Sequence, residues 1–133
     1  AGTWDVAGDK IKLYLDGGLQ QTTTSLPTFT GTPANSSIGN NAAGGGYFIG
    51  NIDEVSLFNV ELTDAQITTL YNEGFPNTVA ADTGLIGWWR MGDGTLTGDP
   101  IATFPTIPDD SSNNNSGTMS NMTSTDFEAD VAE

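Results

Sequence analysis

Lys10-Ile11-Lys12-Leu13-Tyr14-Leu15-Asp16-Gly17-Gly18 reads as a strand running into a tight turn. Ile11, Leu13 and Leu15 alternate with Lys12, Tyr14 and Asp16. That period of two places one set of side chains on each face of a half-buried strand. At Asp16-Gly17-Gly18 a positive φ costs little, so the chain turns back as a hairpin, with Leu19 to Thr24 as the returning strand. Pro27, Gly31 and Pro33 then punctuate a loop. Ser37-Ile38-Gly39 reads as a short strand and Asn40 to Gly46 as a polar loop.

Tyr47 to Phe58 has the strongest strand pattern. Phe48, Gly50 and Ile52 share one parity, whereas Val55 and Leu57 have the other. Both apolar sets reach one core only if the strand slips by a residue, so a bulge or kink is expected near Asp53-Glu54. One helix follows. Thr63 suits the N-cap, Gln66 completes a capping box, and Leu62 with Ile67 forms a hydrophobic staple. Ile67, Leu70 and Tyr71 make the apolar stripe. Gly74 is the expected C′ residue and Pro76 blocks extension, giving a helix of about three turns over 63–73. Residues 77–83 read as a linker. Leu85 to Met91 is a buried strand, residues 92–115 are loop-rich, and Ser116 to Met122 forms a last strand before an acidic tail.

The composition narrows the function. The chain has 133 residues, enough for one domain. It carries 17 acidic and 3 basic residues, a net charge of −14. So few cations cannot displace counterions from nucleic acid, and an anionic membrane surface is disfavoured for the same reason. No stretch is long and apolar enough for membrane insertion. His is absent, which removes the usual general base, the Ser-His-Asp triad and nearly all zinc chemistry. Cys is absent too, so no disulfide speaks for or against secretion. The opening Ala1-Gly2-Thr3-Trp4 reads as the interior of a longer protein.

Ala1-Gly2-Thr3-Trp4-Asp5 with Lys10 to Gly17 resembles a hairpin of the laminin-G-like, concanavalin A-like lectin/glucanase superfamily. Ile38-Gly39-Asn40, Phe48 to Asn59 and Leu62 to Gly74 are similar to the strands and short helix that follow in that family. Gly84-Leu85-Ile86-Gly87-Trp88-Trp89-Arg90-Met91-Gly92-Asp93-Gly94 resembles the family's opening strand instead, and Asp110 to Met119 its next motif. The Trp88 to Gly94 wording is also similar to phage or marine viral structural proteins.

The resemblance implies an all-β, antiparallel jelly-roll β-sandwich with one short helix. Its motifs stand in permuted or truncated order: residues 1–76 as the C-terminal half, 77–83 as a linker, and 84–133 as the N-terminal strands, packing with 1–76 as one unit. A circular permutant and a piece of a tandem array both explain that order. The neighbours would then be a homo-oligomer or adjoining repeats, and the setting extracellular or a virion surface.

The resemblance also implies a structural calcium held by Asp53, Asp93 and Asp110, although Gly92 stands where the family has its first acid. The bland alternative is that these acids are solvated turn residues. Asp110 to Gly117 is no EF-hand, because its Gly falls late and no Glu closes the loop. Tyr47, Asn40 and Asn41, beside Gly44-Gly45-Gly46, have the chemistry of a carbohydrate site, an aromatic wall with few polar groups. The alternative is that Tyr47 merely begins a strand. Trp4, Trp88 and Trp89 read as packing residues, with one of the adjacent pair pointing outward. No spaced carboxylate pair supports glycoside hydrolysis, and the chain is expected not to be an enzyme. Two functions stand: a carbohydrate- or surface-binding module supported by calcium, and a structural repeat of a virion or adhesin.

Overall fold

The computed structural model describes residues 1–26, 36–41, 45–72, 84–91 and 105–120. Three strands open the chain: β1 (Gly2–Asp5), β2 (Lys10–Leu15) and β3 (Gly18–Thr24). They form an antiparallel meander in that order. The expected hairpin is present. Asp16 and Gly17 both take positive φ, 49° and 70°, which matches the turn to the right-handed twist of its strands. A bulge between Leu13 and Tyr14 shifts the β2–β3 register.

The helix α1 (Asp64–Tyr71) begins as the side chains dictate. Thr63 Oγ1 accepts from the Gln66 N–H at 3.3 Å, and Gln66 Oε1 accepts from the Thr63 N–H at 2.9 Å. The helix is eight residues long, about a turn shorter than expected, because Asn72 caps it in the left-handed region at φ 43°. Gly74, the expected C′ residue, lies outside the described residues. Leu62 and Ile67, the staple pair, are buried with Tyr14, and Phe58 and Leu70 pack against them. This small core sits between the Tyr14 face of the meander and the helix. The β2–β3 turn docks on α1: Thr68 Oγ1 donates to the Gly17 carbonyl at 3.0 Å. A Cβ on Gly17 would meet the Tyr71 ring at 2.7 Å.

The stretch expected as one long strand differs. Only Val55–Phe58 is β4, and residues 45–54 run without a ladder. Ser37-Ile38-Gly39 is likewise a bend and not a strand. The kink does fall near Asp53-Glu54, for Glu54 has φ 48° immediately before β4. A second irregularity lies between Leu57 and Phe58. Phe58 packs on the core and Leu57 is 51% exposed, the reverse of the expected parity.

β4 pairs antiparallel with β5 (Leu85–Trp89), joining Val55 to Trp89 and Ser56 to Trp88. The stretch that resembles an opening strand therefore lies beside one from the first block. β6 (Thr106–Ile107) and β7 (Gly117–Thr118) form a short ladder. The former falls where only loop was expected, and the latter is shorter than Ser116 to Met122. Residues 77–83, the expected linker, lie outside the described residues.

Candidate functional site

The loop carrying Asn40, Asn41 and Tyr47 is closed by its own backbone. The Phe48 N–H donates to the Gly39 carbonyl at 2.7 Å and the Asn41 N–H to the Gly45 carbonyl at 3.1 Å. Ser37 Oγ donates to the Asn40 carbonyl at 2.9 Å. Gly39, at φ 79°, lets the backbone pass Ile52, whose Cδ1 would stand 3.1 Å from any Cβ there. Gly46, at φ 57°, lies against the Asn41 amide in the same way. Tyr47 projects 62% exposed, and Asn41 is exposed. Asn40 differs: it is half-buried, and its side-chain oxygen is buried without a hydrogen-bond partner.

The acids expected to hold a metal stand apart in role. Asp53 is exposed and its Oδ1 accepts the Glu54 N–H at 2.9 Å. Asp110 is exposed, and its own N–H donates to the Trp88 carbonyl at 2.8 Å. Asp93 lies outside the described residues. Among the described residues, no group of three or more acids gathers as a cation would require.

The acid that organises this region is Asp109, which sequence reasoning passed over for its neighbour. Its carboxylate is buried and saturated with donors. Oδ1 accepts the N–H groups of Trp88 at 2.8 Å and Ser111 at 2.9 Å. Oδ2 accepts the Ser111 hydroxyl at 2.9 Å and the Asn115 N–H at 2.7 Å. Burial alone would raise the carboxyl pKa; the hydrogen bonds from Trp88, Asn115 and Ser111 together outweigh it and hold it below the usual range. Asn113 and Asn115 then donate their amides to the carbonyls of Leu85 and Ile86 at 3.1 and 2.7 Å. The alternation Asp109, Ser111, Asn113, Asn115 was the available signal. Side chains of this kind fold back on nearby backbone and make a rigid turn.

Glu54 is a second organiser. Its Oε2 accepts Trp88 Nε1–H at 2.6 Å, its Oε1 pairs with Arg90 Nε at 3.2 Å, and the Arg90 guanidinium lies 5.3 Å from the Trp88 ring centre. Trp88 is buried, while Trp89 is half-buried and donates Nε1–H to the Asn115 carbonyl at 2.9 Å. On the far side of the meander, Lys12 lies between Glu61 and Asp64 at 3.3 and 3.1 Å, in an open cleft of about 250 Å³. The hydrogen bond from the Tyr14 hydroxyl, followed by that from Lys12, lowers the Asp64 pKa.

A family model described as the concanavalin A-like lectin/glucanases superfamily matches residues 1–68. The chain belongs to that superfamily. The matched span carries the meander, the Tyr47 loop, β4 and the start of α1. The concanavalin A-like assignment agrees with antiparallel sheets and one short helix. No curated protein and no solved structure matches the chain.

Proposed function

We propose that this chain is a non-catalytic contact module, acting outside the cell or on a virion surface, whose Tyr47 loop recognises carbohydrate. Tyr47 carries the reading: an aromatic ring stands 62% exposed beside the exposed Asn41, on a loop already closed by two backbone hydrogen bonds. Such a ring stacks on the apolar face of a sugar, and an adjacent amide bonds its hydroxyls. The non-catalytic part is supported by the absence of His from the sequence and by the coordination of the buried Asp109, whose lone pairs are already engaged.

A glycan array probed with the purified chain tests this. Specific binding that is lost in Tyr47→Ala is the expected result. No binding to any glycan by the folded chain would contradict the reading. It would favour the second one, a structural repeat of a virion or adhesin, for which the apolar side chains exposed on the meander speak.

A further inference from the structure

The Tyr47 loop is a stretch without charge. Residues 36–52 contain no acid and no base. The first charged side chain after them is Asp53, an exposed carboxylate. It follows Ile52, which packs on Gly39 in the loop's other arm, its Cδ1 3.1 Å from where a Cβ would stand there. The chain has three cations against 17 acids, and all three are taken. Lys10 Nζ lies 3.2 Å from the Asp5 carboxylate, and Lys12 Nζ lies between Glu61 and Asp64 at 3.3 and 3.1 Å. Arg90 reaches toward this end of the chain, through Glu54 next to Asp53. Its Nε is held by Glu54 at 3.2 Å and its guanidinium lies over the Trp88 ring. An exposed ion pair is weak by itself. To serve an anionic ligand, however, any of these cations must leave its carboxylate, in a chain of net charge −14 with no other base to replace it.

We infer that the Tyr47 loop takes uncharged sugars and rejects sugars that bear a carboxylate, sulfate or phosphate. The inference rests on the carbohydrate reading of that loop and adds the class of sugar. An aromatic ring and an amide are enough for an uncharged sugar, one stacking on its apolar face and the other bonding its hydroxyls. An acid group in the same place loses water and finds no cation to replace it. The Asp53 carboxylate, two residues past the loop's Asn51, adds like-charge repulsion. That repulsion acts through solvent, so salt weakens it, whereas the stacking contact is left intact.

A glycan array of matched pairs tests it: lactose with sialyllactose, galactan with sulfated galactan, and mannan with phosphomannan. Each pair is read at low and high salt with the full chain, Tyr47→Ala and Asp53→Asn. At low salt the uncharged member of a bound pair is expected to bind about tenfold more tightly or better, the scale of a surface potential of a few kT. Tyr47→Ala removes that binding. The ratio falls at high salt. Asp53→Asn, which keeps an oxygen to accept the Glu54 N–H, narrows it as well. Acidic members that bind as tightly as their uncharged partners, and lose that binding in Tyr47→Ala, overturn the selectivity and leave the loop a carbohydrate site. A ratio unmoved by both salt and Asp53→Asn does the same. Binding to no pair, or binding indifferent to Tyr47→Ala, overturns the carbohydrate reading and this inference with it.

Discussion

The indole Nε1–H of Trp88 donates to Glu54 Oε2 at 2.6 Å, tying together residues 34 apart in sequence. Glu54 sits at φ 48°, a region that costs a non-glycine residue energy and persists only where surroundings hold it. Here the holding groups are the Trp88 indole and Arg90, both on or beside β5. The kink before β4 and the pairing of β4 with β5 are thus one feature. The carboxylate that the kink aims at Trp88 is what anchors the second block of sequence to the first.

Removing that carboxylate leaves the Trp88 indole N–H without its acceptor. Glu54→Ala is expected to destabilise the fold by about 1–3 kcal/mol, the desolvation cost of an unsatisfied buried donor. Glu54→Gln keeps an acceptor for the indole and loses only the pairing with Arg90, so its cost is expected to be less than half as large. Urea melts followed by tryptophan fluorescence measure both. Equal losses in the two variants would show that the ion pair, and not the indole bond, matters.

Asp109 gives a pH signature. Its folded pKa lies below that of the unfolded chain, about 3.9, so its contribution is complete above the unfolded value and is lost as pH falls through the folded one. Asp109→Asn is expected to cost about 3 kcal/mol near neutral pH, since four donors lose a charged acceptor. The gap between wild type and variant is expected to narrow as pH falls below about 4, where the unfolded chain's carboxyl takes up a proton while the native one still resists it. Comparing the two removes the general effect of the −14 charge, which both share closely. A gap constant down to about pH 2, roughly two units below the unfolded value, would contradict this.

Gly87 lies under the Trp89 ring, where a Cβ would intrude between 2.8 and 2.9 Å on two ring atoms and nearer still on a third. In an ordinary strand, replacing Gly by Ala stabilises by reducing backbone freedom. Gly87→Ala is expected to do the opposite, by about 1–3 kcal/mol, because the indole must leave the strand and give up its bond to the Asn115 carbonyl. A lower melting temperature with red-shifted tryptophan emission is the predicted observation.

Local patterns in the chain were legible where one element fixes its own geometry. The alternation Ile11, Leu13, Leu15 with the Asp16-Gly17 turn yields the hairpin, and Thr63 with Gln66 yields the helix start. A kink near Asp53-Glu54 was expected from a clash of parity, and Glu54 does turn there at φ 48°, although Phe48 and Leu57 both stay exposed. What was illegible depends on distant partners. Tyr47 to Phe58 has strand-like residues throughout, yet only Val55–Phe58 finds a partner to bond, and a strand without a ladder is not one. Asp109 and Asp110 are indistinguishable by type; only the N–H groups of Trp88, Ser111 and Asn115 single out the first. Within the candidate loop, Tyr47 and Asn41 are exposed while the Asn40 side-chain oxygen is buried, a difference set by packing that spacing does not encode.

Nuclear Overhauser contacts between the backbones of Val55–Phe58 and Leu85–Trp89, recorded on a mixture of labelled and unlabelled chains, test most directly whether both blocks close into one body. Val55–Trp89 and Ser56–Trp88 contacts arising within single molecules are the expected result. Their absence, or their appearance only between molecules, would contradict it.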